Sequence, residues 1–321
     1  MSRARILGLI CLTSSRLEVA EWHTERSRTR PGGDDVDRTH EAAEAQAARW
    51  KGSGADAWVA AQGYLDAMYR PFADLLVQAA AAHPGRVLDV GCGTGASTVA
   101  VARELGADAD CVGVDISETM VGAARDRARR EGSSARFVNA DAATHAFESA
   151  AYDLVVSRFG VMFFGDPARA FGNLRRAAAG GARLRFVVWR GMAENPFMTT
   201  AERAAAPLVP SLPVRKDGDP GQFGLADPAR TEQLLLEGGW TGVGIRPVDA
   251  VCTLPETELD SYFSRFGVLG PVLPGLPEPT RARVVETVRA AFEPYVHGDE
   301  VRYTAACWVV DARAAEDAPG R

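Results

Sequence analysis

Apolar and polar positions along this chain repeat with two different periods. Between about 56 and 83, Trp58, Tyr64, Leu65, Met68, Leu75 and Leu76 recur at helical spacing, which predicts one or two helices. From 87 onward, short apolar runs at 87–90, 111–115, 135–138, 152–156 and 182–189 alternate with helical stretches. That alternation builds βαβ units and a parallel sheet. Ser117 caps a helix running through Met120, Val121 and Ala124. Asp227 and Pro228 set a cap and a first-turn proline before a helix through Leu236. Runs at 243–251 and 301–310 supply the last two strands, with helical material around 256–266 and 278–293 between them. The pattern predicts an α/β fold.

The run Val87-Leu88-Asp89-Val90 leads straight into Gly91-Cys92-Gly93-Thr94-Gly95. Such a strand-to-glycine turn lets a ligand lie against bare backbone. Gly91, Gly93 and Ala96 satisfy the G-x-G-x-x-A dinucleotide fingerprint, in which a pyrophosphate rests on the helix N-terminus. Asp89, two residues before the first glycine, speaks for a cationic ligand and against a pyrophosphate. S-adenosylmethionine is such a ligand, with a sulfonium, an amine and a carboxylate and no phosphate. Cys92 reads as a small residue with an available backbone amide.

Further acids arrive at the spacing of successive βαβ units. Asp115 ends the second strand about 20 residues past the loop, where a ribose-binding carboxylate belongs. Asp141 follows the third strand, where an acid can take a hydrogen bond from the exocyclic amine of an adenine. Taken singly, each could be a solvated loop acid or a helix cap. Together they fall at the carboxyl ends of consecutive strands, where ligands bind in open α/β sheets.

On these residues the chain resembles the class I S-adenosylmethionine-dependent methyltransferases. The matching stretches are 87–95, 112–117, Asn139-Ala140-Asp141-Ala142 and 153–164, the last ending Ser157-Arg158-Phe159-Gly160-Val161-Met162-Phe163-Phe164. That last stretch is similar to the bacterial small-molecule branch related to ubiquinone and menaquinone biosynthesis methyltransferases. Further similarity to the branch lies at 188–190, 194–197, 223–228 and 306–308. The resemblance implies a Rossmann-like, seven-stranded, mostly parallel sheet with an antiparallel last strand, flanked by helices. It implies Asp115 as the ribose ligand, Asp141 as the adenine contact, Gly91 and Gly93 beside the methionine portion, and Ser157 near its amino group. Asp89, Thr94, Gly95, Ile116, Met120, Ala142 and Arg158 complete the expected cofactor site. In related enzymes a leading helical segment covers this site, so 41–84 is expected to be a helical cap ahead of a methyltransferase domain at 85–321.

Composition narrows the class of partner. The chain of 321 residues carries a net charge of −6 with acids and bases intermixed, which argues against an electrostatic nucleic-acid binder. Its five cysteines are too few and too scattered for a disulfide framework or a zinc site, so no metal is expected and a reduced, cytoplasmic setting is. The apolar run at 6–12 is too short to span a membrane, and residues 1–40 read as a flexible N-terminal extension. The stretch 191–226, with Pro196, Pro207, Pro210, Pro213 and Pro220, reads as a lid insertion after the fifth strand.

Methyl transfer needs alignment and exclusion of water more than side-chain chemistry. A general base is required only for an oxygen, carbon or protonated-amine acceptor. No residue is assigned that role; His145 and Tyr64 are candidates, with His297 elsewhere. Phe159, Phe163 and Phe164 could face the sulfonium, wall an apolar acceptor pocket, or simply pack. Arg158 could hold an acidic group or pair with Asp153. Asn195-Pro196-Phe197 lacks the second proline of the amino-methyltransferase signature and follows strand five rather than strand four, so it is not expected to clamp an amine. The expected activity is methyl transfer to a small organic acceptor. The alternatives are non-methylating use of S-adenosylmethionine (aminocarboxypropyl transfer or regulatory binding) and a nicotinamide oxidoreductase. The acceptor and the oligomeric state are not readable from the chain.

Overall fold

The computed structural model describes residues 44, 48 and 50–316, so the expected N-terminal extension at 1–40 lies outside the described residues. Two helices, α1 (Ser53–Met68) and α2 (Arg70–Ala82), precede the sheet. Leu65, Met68, Phe72 and Leu76 on them are fully buried, which accounts for the helical spacing of apolar residues seen in the sequence.

The sheet then builds as β1 (Val87–Val90), α3 (Ala96–Leu105), β2 (Cys111–Asp115), α4 (Glu118–Glu131), β3 (Arg136–Asn139), β4 (Tyr152–Arg158), α5 (Pro167–Ala177) and β5 (Ala178–Trp189). After the insertion, which contains α6 (Pro196–Ala205), come α7 (Pro228–Glu237) and the long strand β6 (Trp240–Pro255). Helices α8 (Leu259–Arg265), α9 (Leu269–Val272) and α10 (Glu278–Ala291) lead to β7 (Val296–His297) and β8 (Glu300–Ala314). Strand order is β3-β2-β1-β4-β5-β8-β6. Strands β1 to β5 pair in parallel, and β8 runs antiparallel to both β5 and β6. Central β1 is buried along its whole length, as a strand covered by helices on both faces must be.

The sheet has eight strands, not the seven expected. The addition is β7, which folds back on β8 through Val296–Val301 and His297–Glu300 pairings. Gly298, with φ +70°, makes the turn. Two residues are too few to register as an apolar run. Strand β5 also starts four residues before the expected 182, because Ala178 pairs with Tyr152 ahead of a register shift in the β4–β5 ladder.

The order of strands reverses between β1 and β4. Crossovers on either side of that point leave in opposite directions and open a crevice at the carboxyl ends, the location favoured for ligands in such sheets.

Candidate active site

The glycine loop sits in that crevice. Gly91 and Gly93 hold φ values of +65° and +54°, which residues with a Cβ rarely adopt. Its amides are turned inward. Those of Gly91 and Cys92 both donate to the Val114 carbonyl at 2.8 and 3.1 Å, and that of Gly95 donates to the Cys92 carbonyl at 3.0 Å. The Gly93 amide donates to Asp115 Oδ2 at 2.9 Å. The Cys92 amide is therefore committed within the fold, a correction to its expected availability: the second strand lies close enough for Val114 to collect both donors.

Asp89 is 1 % exposed at the foot of the loop. Ser97 Oγ and Thr98 Oγ1, in the first turn of α3, both donate to its Oδ2 at 2.6 Å. Its Oδ1 is buried and has no hydrogen-bond partner among the described residues. Burial pushes the carboxyl up, against the two hydroxyl bonds and the charge of Arg158. Ser97 and Thr98 escaped sequence reasoning. The signal was there, since a buried acid needs nearby donors and these follow it in the next helical turn.

Asp115 uses its other oxygen too: Ser117 N donates to Oδ1 at 2.9 Å. Burial raises this carboxyl, opposed by backbone donors from Ser117, Gly93 and Ile116. Met120 is buried, and its thioether lies 3.7 Å from where a Gly93 Cβ would stand. The Trp58 indole nitrogen lies 3.9 Å from the same point, so α1 lies over the loop. Thr94 is buried within it.

Beyond β3, Asp141 is exposed and its Oδ1 accepts from Ala143 N at 2.8 Å. Asn173 on α5 pins this segment by donating to the carbonyls of Ala142 at 2.8 Å and His145 at 2.9 Å. No motif marked Asn173. The His145 ring packs edge-on against Phe147, 4.7 Å away, and Phe147 contacts Tyr152 at the amino end of β4. That end of the strand is opposite the glycine loop. His297 lies in β7, outside the crevice strands.

At the carboxyl end of β4, Ser157 is fully buried and its Oγ accepts from Gly160 N at 3.1 Å. Arg158 is 9 % exposed and its nearest acid is Asp66 Oδ1 on α1, at 3.7 Å. The alternative pairing with Asp153 does not form. Residues five apart on a strand point to opposite faces, roughly 16 Å from each other, and Asp153 instead accepts from Arg86 N at 2.8 Å. Arg127 on α4 also bonds Asp66, through its other oxygen.

Aromatic rings close the crevice. Phe159 stacks on Trp189 at 4.7 Å and 8° and meets the edges of Tyr69 and Phe72. Its φ of +63° is held by that packing and by its N–H bond to Val187 O at 3.0 Å. Trp58 stacks on Tyr69, and Phe163 takes the edge of Trp50 at 5.0 Å. Phe164 packs edge-on against Phe171. Tyr64 has a buried hydroxyl beside Ser261 that makes no bond of good geometry, and burial pushes its phenol up to about 12.

The insertion folds down on the sheet. Asn195 is 1 % exposed and spends its amide on the carbonyls of Arg190, Gly191 and Ala306 and on Ala306 N. That leaves nothing with which to clamp an amine. Phe197 stacks on Tyr303 at 3.8 Å.

Comparison with known proteins agrees with this geometry. Residues 87–181 match the family model described as a methyltransferase domain. The demethylmenaquinone methyltransferase of Thermus thermophilus is 38 % identical over 101 residues, covering 32 % of this chain and 46 % of that protein. The chloroplastic tocopherol O-methyltransferase of Arabidopsis thaliana is 36 % identical over 106 residues, 32 % of this chain and 30 % of that protein. The matched segment thus spans less than half of these relatives' length. The YcgJ protein of Bacillus subtilis shares the fold, with a TM-score of 0.50 at 17 % identity over 77 % of this chain and 100 % of that one. Residues 87–181 thus match a methyltransferase-domain family and resemble the ubiquinone and menaquinone biosynthesis methyltransferases over that segment.

Proposed function

We propose that the chain transfers the methyl group of S-adenosylmethionine to a small organic acceptor by in-line displacement. The observation that carries this reading is the loop itself. The amides of Gly91, Cys92, Gly93 and Gly95 are committed inside the fold, and two carboxylates, Asp89 and Asp115, flank them. A pyrophosphate would meet negative charge and few donors there. A cationic ligand without phosphate meets the complementary field, and the unpartnered Asp89 Oδ1 gives that field a focus.

When bound, the cofactor supplies an electrophilic methyl on a positively charged sulfur. The chain's residues bind and orient. Asp115 accepts from ribose hydroxyls with the lone pairs its two backbone donors leave free. Asp141 and Ala142 border the adenine, the loop from Gly91 to Gly95 follows the methionine portion, and Ile116 and Met120 pack between. Ser157 and Arg158 close the β4 side. Trp58, Tyr69, Phe159 and Trp189 wall the crevice, and their apolar faces keep water from competing with the acceptor. Tyr64, held protonated well beyond neutral pH by burial, is unsuited to act as a base.

The matched relatives act on small molecules by name, and the chain's net charge of −6 suits such an acceptor better than a nucleic acid. Among the described residues no helix is long and apolar enough to cross a membrane. A cytoplasmic setting completes the reading.

Calorimetric titration with S-adenosylmethionine, its demethylated product and NAD tests the proposal. Saturable binding of the first two is expected, and NAD binding in their place would overturn it. Appearance of the demethylated product with a panel of small acceptors separates methyl transfer from non-methylating use of the cofactor.

A further inference from the structure

Far from the glycine loop, the face of the sheet beneath α2 carries a cluster of arginines that the methyltransferase reading does not use. A cavity of about 270 Å3 opens there, lined by Arg183, Arg185, Arg313 and Asp311, with His83 at the end of α2 on its rim. Arg183 is six residues before Trp189 on β5, so the cavity lies roughly 20 Å from the crevice along the strand. Arg183 and Arg313 are direct partners in the antiparallel β5–β8 ladder, where opposed side chains sit closest. Like charges in that position repel. Neither side chain makes an ion pair or hydrogen bond among the described residues. The neighbouring pair is Arg185 with Asp311, whose carboxylate accepts from Arg185 Nε at 2.6 Å and also draws Arg246 Nε to 3.9 Å. One carboxylate therefore answers two guanidinium groups. Glu316, just past the end of β8, lies against Gly181.

A chain whose net charge is −6 has concentrated unpaired cations around one cavity. Guanidinium groups offer forked donors matched to a tetrahedral oxyanion, and two facing each other bind one strongly. We propose that this cavity is a binding site for a small phosphate-class dianion, free or as a monoester, held between Arg183 and Arg313. Arg185, kept in place by Asp311, supplies a third cation. The cavity has room for the phosphate group and a short organic remainder. The site is separate from the crevice, so its occupancy does not depend on the proposed activity.

The test is thermal unfolding and calorimetry of the full chain with inorganic phosphate, glycerol phosphate and chloride at constant ionic strength. Phosphate is expected to raise Tm saturably where chloride does not. Arg183→Gln and Arg313→Gln are each expected to weaken phosphate binding at least about tenfold. In low-salt buffer without phosphate, Arg313→Gln is expected to raise Tm, because it relieves the cross-strand repulsion. Failure of one variant to fold leaves the other as the test. Tighter binding of the monoester than of phosphate assigns the site to an esterified ligand, and equal binding assigns it to the free anion. A Tm that follows ionic strength alone, or variants that respond to phosphate as the parent does, would overturn the proposal.

Discussion

Gly91 and Gly160 meet backbone to backbone across the point where the strand order reverses. A Cβ on Gly91 would stand 2.6 Å from the Gly160 Cα, and one on Gly160 would stand 2.5 Å from the Val90 carbonyl oxygen. The loops after β1 and β4 are in contact because neither carries a side chain there. Gly160→Ala should therefore force the two loops apart. The expected cost is about 1–3 kcal/mol of stability, read by denaturant unfolding, together with weaker S-adenosylmethionine binding. Full stability with full affinity would show that the contact can relax freely.

Asp89→Asn separates the field of the site from its shape. A carboxyl whose folded pKa is raised binds more protons in the folded state than in the unfolded one. Its contribution to stability is thus present at low pH and is lost as pH climbs from the ordinary 3.8 through the raised folded value. The variant should lose part of that decline, so its stability relative to the parent improves as pH rises past the carboxylate range. S-adenosylmethionine binding should weaken at the same time. Parallel stability–pH curves for the two proteins would count against a strained, ionisable Asp89.

Asp115→Ala removes the acceptor for the Gly93 and Ser117 amides as well as the proposed ribose ligand. Each amide left without a partner costs about 1–3 kcal/mol of stability, and loss of the charged ribose acceptor should raise the cofactor dissociation constant by about tenfold or more. Asp115→Asn retains one acceptor oxygen and should fall between the two. Calorimetry of the three proteins checks the order.

Tyr64→Phe should leave activity and its pH profile almost unchanged. The hydroxyl it removes is buried without a good partner, so Tm should hold or rise slightly. A lost alkaline limb in the pH–rate profile would restore Tyr64 as the base.

Asn173→Ala releases the segment after β3. With its donors to Ala142 and His145 gone, cofactor affinity should fall while the rate at saturating cofactor changes little. A fall in rate with affinity unchanged would place Asn173 in a different role.

The sheet and its crevice were legible in the sequence because each strand's burial leaves an apolar run and the candidate acids sit within or just past those runs. Gly91, Gly93, Asp89 and Asp115 belong to this class. Partnerships between distant elements leave no such trace. Asn173 touches residues 28 and 31 positions away, and Arg127 reaches 61 back to Asp66. Arg158 was legible as a charge at the crevice but not as a neighbour of Asp66, since strand spacing excludes Asp153 without naming a replacement. The two-residue β7 fell below the length at which periodicity exists.

Asp66 joins two arginines that belong to opposite halves of the sheet, Arg127 before β3 and Arg158 at the end of β4, and it rides on the helix that overlies the glycine loop. The helix is thus fastened as a latch with an ionic bolt in addition to its apolar seat. Its three side chains are only 9–20 % exposed, so salt screens the bolt weakly. Exchange of whatever lies beneath α1 should then be nearly indifferent to ionic strength yet quicken in Asp66→Asn, so turnover limited by release would respond to that substitution where the chemical step does not.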